Sequence, residues 1–329
     1  MAPKQPGTQY DAIIIGAGPA GLNAALILGR CRRRVLVCDS GHPRNAASHE
    51  LHGFLSRDCT PPADLLRIGR EQLLRYPNVE FHEVEVTDAW RREDGFEIGL
   101  PDGTRCSSRK LLLATGIRDL LPQLENIEAY YGRSVFHCPY CDGWEVRDQP
   151  LAVYRAGNKG PRMAQTLTAW SRDLVLLTDG PVQWTASEQD LIDALGLRVY
   201  SGRVARLEGR PPQLERIVFD DGSSVERRAL FVHTDCQPHS DLAEKLGCAL
   251  VKHSVQTDGD KDMQASEKSG LYVAGDATRE VELAIVAAAE GAMAAFAINK
   301  ALLAEDHERR LGQRAAGNEP RPLGSGRAV

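Results

Sequence analysis

At 329 residues the chain is longer than one core of ordinary size accommodates, so two domains are expected. Its 42% hydrophobic and 26% charged residues fall in the globular range and exclude a disordered or fibrous chain, while a formal net charge of -5 offers no basic footprint for nucleic acid. The polar first ten residues and Arg30, Arg32, Arg33 and Arg34 argue against a signal peptide, and no stretch reads as reaching the roughly 18 to 20 apolar residues of a membrane span, so a cytoplasmic protein with no membrane partner is expected.

In chain order, Asp11 to Ile15 is a short apolar run. It is followed by the glycine-bearing turn Gly16-Ala17-Gly18-Pro19-Ala20-Gly21, a helical pattern, and the strand-like Val35-Leu36-Val37-Cys38 ending at Asp39. This is a βαβ opening. Gly16, Gly18 and Gly21 permit a tight turn and close approach of backbone to a pyrophosphate, and the helix start offers free N–H groups. Asp39 is placed to accept from ribose hydroxyls and would repel a 2'-phosphate, which favours FAD or NAD over NADP. The segment through Ser40, Arg44 and Asn45 is read as a loop packed on the cofactor diphosphate, with no chemistry assigned. Residues 79–86, 95–100 and 110–114 read as the strands of a β-meander, with turns at Asp94-Gly95 and Asp102-Gly103. Ala114-Thr115-Gly116 ends the last strand where the chain leaves the domain.

Next comes Cys138-Pro139-Tyr140-Cys141-Asp142-Gly143. The spacing lets two thiols close a small ring, and a cysteine near a helix start becomes a usable nucleophile, so one sulfur can meet substrate while the other faces a flavin. Zinc is the main alternative, but it needs four ligands, and no second pair of this spacing exists. Asp142 can exchange a proton with a thiolate if burial raises its pKa; as a solvated turn residue it would do nothing catalytic. Cys31, Cys38, Cys106, Cys236 and Cys248 read as small core or near-core residues.

The opening order then recurs: a strand at Leu151 to Tyr154, a glycine-bearing turn, a helix, and a strand ending near Asp179. A meander follows, turning at Asp221-Gly222 and closing with Ala229 to Val232. Two copies of one nucleotide-binding module are expected. A third block, Leu271 to Ala277 followed by an alanine-rich helix, has no partner strands of its own and must complete another domain. The expected fold is α/β, with two Rossmann-like, three-layer ββα dinucleotide-binding domains. Residues 1–117 and 241–305 form the first, 118–240 form an inserted second one carrying the cysteine pair, two connecting strands act as a hinge, and 306–329 form a disordered tail. Gly275-Asp276 precedes the last helix; in flavoproteins built this way the acid holds the ribityl chain, and the helix start, here near Ala284, stabilises negative charge on reduced flavin.

With the glycine fingerprint, the inserted cysteine pair and the Gly275-Asp276-Ala277 segment in this order, residues Tyr10 to Leu303 resemble the low-molecular-weight thioredoxin reductases. The resemblance implies a homodimer with FAD in the outer domain, NADPH in the inserted one, and a Cys138/Cys141 disulfide assisted by Asp142. Three positions depart from that pattern. Arg155 replaces the first glycine of the second fingerprint, Leu177-Thr178-Asp179-Gly180 stands where the 2'-phosphate would be gripped, and His233-Thr234-Asp235 stands where a small residue and glycine would meet the nucleotide. The helix start Val281-Glu282-Leu283-Ala284 also departs, since reductases place Arg-Gln before the alanine. The chain therefore looks similar to the pyridine-nucleotide-independent branch: dithiol oxidases, a ferredoxin-linked reductase and diflavin-linked oxidoreductases. One FAD is expected, a second is left open, and NADPH is not expected. Electrons would run from a small dithiol or a thioredoxin-like protein through the cysteine pair to FAD, then to oxygen or another acceptor. An NAD(P)H-dependent thioredoxin reductase and a flavin-bearing redox sensor without turnover are the alternatives.

Overall fold

The computed structural model describes residues 9–154, 160–257, 263, 270–278 and 281–315. The first domain opens with β1 (Tyr10–Ile15), α1 (Pro19–Arg30), β2 (Val35–Asp39), α2 (Pro62–Leu73) and β3 (Val79–Glu83), and continues through β4 (Asp88–Arg92), β5 (Gly95–Gly99) and β6 (Arg105–Leu113). After the connector β7 (Ile117–Leu120), the inserted domain contains α3 (Ile127–Tyr130), β8 (Val135–Phe136), α4 (Pro139–Asp142), β9 (Leu151–Tyr154), α5 (Gly160–Leu167), β10 (Leu174–Leu177), α6 (Ala186–Leu195) and β11 (Arg198–Tyr200). It ends with β12 (Val204–Arg210), β13 (Gln213–Phe219), β14 (Ser224–Glu226) and β15 (Ala229–Val232). The chain returns through β16 (Asp235–Pro238), α7 (Leu242–Lys245), β17 (Leu250–Val251), β18 (Ser254–Val255), β19 (Leu271–Val273) and α8 (Ala284–Ala315).

The first sheet runs β3-β2-β1-β6-β5-β4, with β19 also paired to β6. β6 changes partners along its length: Arg105 to Ser108 lie antiparallel to β5, whereas Leu111, Leu112 and Leu113 lie parallel to β1 on one side and to β19 on the other. These three leucines are covered on both faces, which is why they read as an unbroken apolar run rather than an alternating one. The inserted domain repeats the plan with the order β11-β10-β9-β15-β8 and a separate meander β12-β13-β14. β7 and β16 pair antiparallel, Cys236 opposite Asp119, and form the two-stranded connection expected between the domains.

α1 presents Ala20, Ala24, Ala25 and Leu28 to the core. A Cβ on Gly291 of α8 would collide with the Ala20 backbone, so this glycine lets the two helices touch. Deleting the fully buried Leu28 side chain to alanine would cost about 2–5 kcal/mol.

Several expectations need correction. Residues 79–83 join the main sheet parallel to β2, and the meander partner of β5 is Asp88–Arg92. α2 is absent from the sequence reading. Order does not end at Asp306: α8 runs to Ala315, and Asp306 pairs with Arg33 at 2.7 Å and Arg109 at 2.8 Å. These arginines lie beside β1 and need an acid when desolvated, which holds the helix end in place. By length and composition α8 would also pass for a membrane span, contrary to the reading that no stretch does so. Its Ala294, Ala295, Ile298 and Leu302 are buried in the first domain, as a core helix requires. Cys31 is exposed rather than near-core, because it caps the solvent end of α1. The substitution at Arg155 and the rest of 155–159 lie outside the described residues.

Candidate active site at the domain junction

The glycine turn forms one end of an elongated cleft. Gly16 has φ +98°, and a Cβ there would strike the Ala114 carbonyl; one on Gly21 would fall onto the Gly16 carbonyl. Gly18 caps α1 in extended backbone, and the space where its Cβ would project is open, the shape a bound pyrophosphate requires. Asp39 accepts from the Ala17 N–H at 2.9 Å and from Arg70 Nη2 at 2.7 Å. Arg70, on α2, is a partner the sequence did not reveal. Gly16, Gly18, Asp39, Ser40, Thr115 and Gly116 line this half; Gly21 packs behind it.

The other half is lined by Asn45, Ser48, Gly275, Asp276 and Ala284 from the first domain, and by His137, Cys141 and Asp142 from the inserted one. Pro43, Arg44, Ala114 and Gly116 border both halves, so the cleft is continuous. The Gly275 turn has φ +87° and is fastened to α8 by buried Glu290, which accepts from the Gly275 N–H at 2.8 Å and the Thr278 hydroxyl at 2.9 Å. The anticipated residues thus converge, although they come from five separate stretches of chain.

Cys138 and Cys141 form a disulfide, with Cα atoms 5.3 Å apart. Cys138 caps the one-turn helix α4, its sulfur accepting from the Cys141 N–H at 3.2 Å. Cys141 faces the cleft. Burial, aided by the charge of Glu145, pushes the Asp142 carboxyl up to about 7, so it is not a solvated turn residue and meets the condition set for exchanging a proton with a thiolate near neutrality. On the outer side Tyr140 is 74% and Trp144 63% exposed, an apolar rim beside the pair.

The largest feature missed from sequence is an ionic network centred on Arg44. Its guanidinium donates to Asp119 at 2.6 and 2.8 Å, to Glu282 at 2.6 Å and to Asp276 at 3.2 Å. Asp119, in the connector β7, also accepts from the Thr234 hydroxyl at 2.9 Å and lies 3.3 Å from the Tyr131 hydroxyl, which is 2.9 Å from His137 Nδ1. Burial would raise the Asp119 carboxyl, but the Arg44 hydrogen bonds and the Arg44 charge hold it far below the usual range. Burial pushes His137 down and favours its neutral form. Cys236, 3.4 Å from Asp119, is pushed up to about 12 by burial and by that carboxylate, so it is an inert thiol. Glu282 occupies the position where reductases carry Arg-Gln, and its partner is Arg44. The motif Pro43-Arg44-Asn45 was visible, but the acids it meets lie 75, 232 and 238 positions along the chain.

Two dinucleotide-binding modules with a disulfide at their shared cleft define a two-domain disulfide oxidoreductase. Residues 10–291 match the family described as pyridine nucleotide-disulphide oxidoreductase. The chain is 30% identical to a probable thioredoxin reductase of Arthroderma benhamiae, over 95% of this chain and 85% of that one. Among solved structures it matches HlmI at 36% identity and TM-score 0.89, covering 94% of this chain and 98% of that one. It also matches a putative thioredoxin reductase TrxB from Bacillus anthracis at 34% and 0.83, covering 90% and 99%. The chain belongs to the pyridine nucleotide-disulphide oxidoreductase family and is thioredoxin-reductase-like, which implies FAD binding.

Proposed function

We propose that this chain oxidises dithiols by passing two electrons from the Cys138/Cys141 pair to FAD, independently of NADPH, with oxygen or another acceptor taking them onward. The observation that carries the reading is the position of Cys141 and Asp142 in the wall of the cleft that Gly18, Asp39 and Asp276 line from the other domain. FAD fits this cleft: open space lies at Gly18, acids stand at both ends, and the start of α8 faces the flavin half. When bound it supplies the two-electron sink.

Substrate thiolate attacks Cys138 on the outer side and displaces Cys141 as thiolate. The second substrate thiol then attacks the mixed disulfide, releasing oxidised substrate and leaving the pair reduced. Asp142, ionised, accepts the proton given up in this exchange. Tyr140 and Trp144 suit an apolar small dithiol or the surface of a thioredoxin-like protein. Support for NADPH independence comes from the second module. The Asp179 carboxylate accepts from the Val204 N–H at 2.9 Å where a 2'-phosphate grip is needed, and Thr234 is turned toward Asp119. The exposed Phe296, Leu303 and Leu311 recur at about two-turn spacing along α8 and suit a homodimer.

A second reading, an NAD(P)H-dependent thioredoxin reductase, is favoured by the names of the relatives. Anaerobic titration separates the two. Bleaching of the flavin by a small dithiol, lost in Cys138→Ser and Cys141→Ser proteins that keep their flavin, supports dithiol oxidation. Rapid bleaching by one equivalent of NADPH and none by dithiol would establish the reductase.

A further inference from the structure

Among the described residues, one cluster of metal-ligating side chains lies outside the redox pair, at the mouth of the flavin half of the cleft. The loop between Leu51 and Thr60 is pinched by the antiparallel bridge joining those residues, and Ser56 and Cys59 adopt left-handed φ of +70° and +58°. The chain therefore folds back on itself and returns Cys59 to His52, with Sγ 3.9 Å from Nδ1. Glu50 joins them, and the three ligand atoms lie within 4.8 Å of one another. Zinc binds sulfur at about 2.3 Å and imidazole nitrogen at about 2.0–2.1 Å, so two such ligands at a tetrahedral angle stand roughly 3.6 Å apart. The Cys59–His52 pair needs to close by only a few tenths of an ångström, and the full set, within 4.8 Å, by at most about 1.4 Å.

Two further observations point to a cation. The other ring nitrogen of His52 lies 3.7 Å from the Glu145 carboxylate of the inserted domain. A histidine that ligates through one nitrogen and offers the other to a carboxylate is the usual way a metal-bound imidazole is oriented. Asp58 also stands 3.8 Å from both His52 Nδ1 and Cys59 Sγ, so the carboxylates of Glu50, Asp58 and Glu145 converge on this spot. Among the described residues no lysine or arginine pairs with any of these three acids.

We propose that Glu50, His52 and Cys59 form a binding site for a thiophilic divalent cation of the zinc class. Cys59 binds as thiolate, Asp58 or water takes the fourth position, and Glu145 orients His52 from across the domain junction. The mixed sulfur, nitrogen and oxygen donor set excludes magnesium and calcium, which take oxygen ligands alone. The site is independent of the direction of electron flow.

Isothermal titration of the oxidised holoenzyme with zinc chloride tests it, because the Cys138–Cys141 disulfide then cannot compete for the ion. One ion per chain is expected. Affinity should fall at least about a hundredfold in Cys59→Ser and His52→Ala, and about ten- to a hundredfold in Glu145→Gln, the range for losing the partner of a metal-bound histidine. Cys31→Ser, at another exposed thiol, should bind as the unaltered protein does. Flavin absorbance per chain verifies that each variant is folded and loaded. Failure of the unaltered protein to bind one zinc per chain, or unchanged affinity in Cys59→Ser, would overturn the assignment.

Discussion

Replacing Arg44 by methionine removes a cation shared by Asp119, Asp276 and Glu282 while keeping much of the side-chain volume. The Asp119 side chain is 5% exposed and loses two hydrogen bonds from guanidinium nitrogens, retaining those from Thr234, Tyr131 and Cys236. Breaking a buried pair from one side costs about 3–5 kcal/mol. The retained neutral partners place the expected loss near the lower end, about 3 kcal/mol. For a chain of this size that is a fall in Tm of roughly 4 °C. The pH dependence has a definite sign. In the unaltered protein the folded-state pKa of Asp119 is depressed, so its stabilisation is full above the unfolded value of about 3.9 and is lost as pH falls through the lower folded value. Without Arg44 the depression is gone, and the difference between the two proteins is greatest near neutrality and shrinks in acid. Thermal scans followed by flavin fluorescence and circular dichroism, from neutrality down to about pH 2, measure both. Adding Asp119→Asn to Arg44→Met should recover part of the loss by removing the stranded charge. A single-variant loss below about 1 kcal/mol, or a double variant less stable than the single one, would refute the view that Arg44 neutralises a buried acid in the connector.

Asp142→Asn should lower dithiol turnover by about a hundredfold or more and flatten its pH profile. The unaltered enzyme should gain rate as pH rises through about 7, where Asp142 ionises and becomes a base; an equally flat profile in the unaltered enzyme would remove the assignment. Gly18→Val should yield folded but flavin-poor protein, since the branched side chain projects into the open end of the cleft; normal flavin content per chain would count against it. Phe296→Glu, at a position 73% exposed, should convert a dimer to a monomer by light scattering, and an unchanged mass would show that this face of α8 is not the interface.

Most of the plan was legible because it rests on local chemistry. Gly16, Gly18 and Asp39 are read from spacing alone, and Cys138 and Cys141 announce their pairing by being three apart. The repeated strand-turn-helix order gave away the insertion, and the partnerless Leu271–Val273 implied its return to the first sheet. What stayed hidden was long-range. Arg44 is one cation in a loop until the fold carries Asp119, Asp276 and Glu282 to it. Arg70 was overlooked because α2 has a polar, charged surface, and its approach to Asp39 depends on how that helix lies across the sheet. The end of α8 was misplaced for the same reason: Asp306 and Glu305 look like a solvated run until Arg33, Arg109 and Lys110 are found opposite them.

The two-sided pairing of β6 has a consequence for the order in which the protein is made. Leu111, Leu112 and Leu113 emerge from the ribosome early, but the strand that covers their second edge, Leu271–Val273, emerges only after the whole inserted domain. The inserted domain is contiguous and can close its own core while synthesis continues, whereas the outer domain waits with an uncovered apolar edge. The nascent first half is therefore the stage at which this chain is most open to aggregation and most in need of a chaperone. A stop anywhere before residue 271 would strand it there, with its nucleotide turn already built and no finished sheet to hold it.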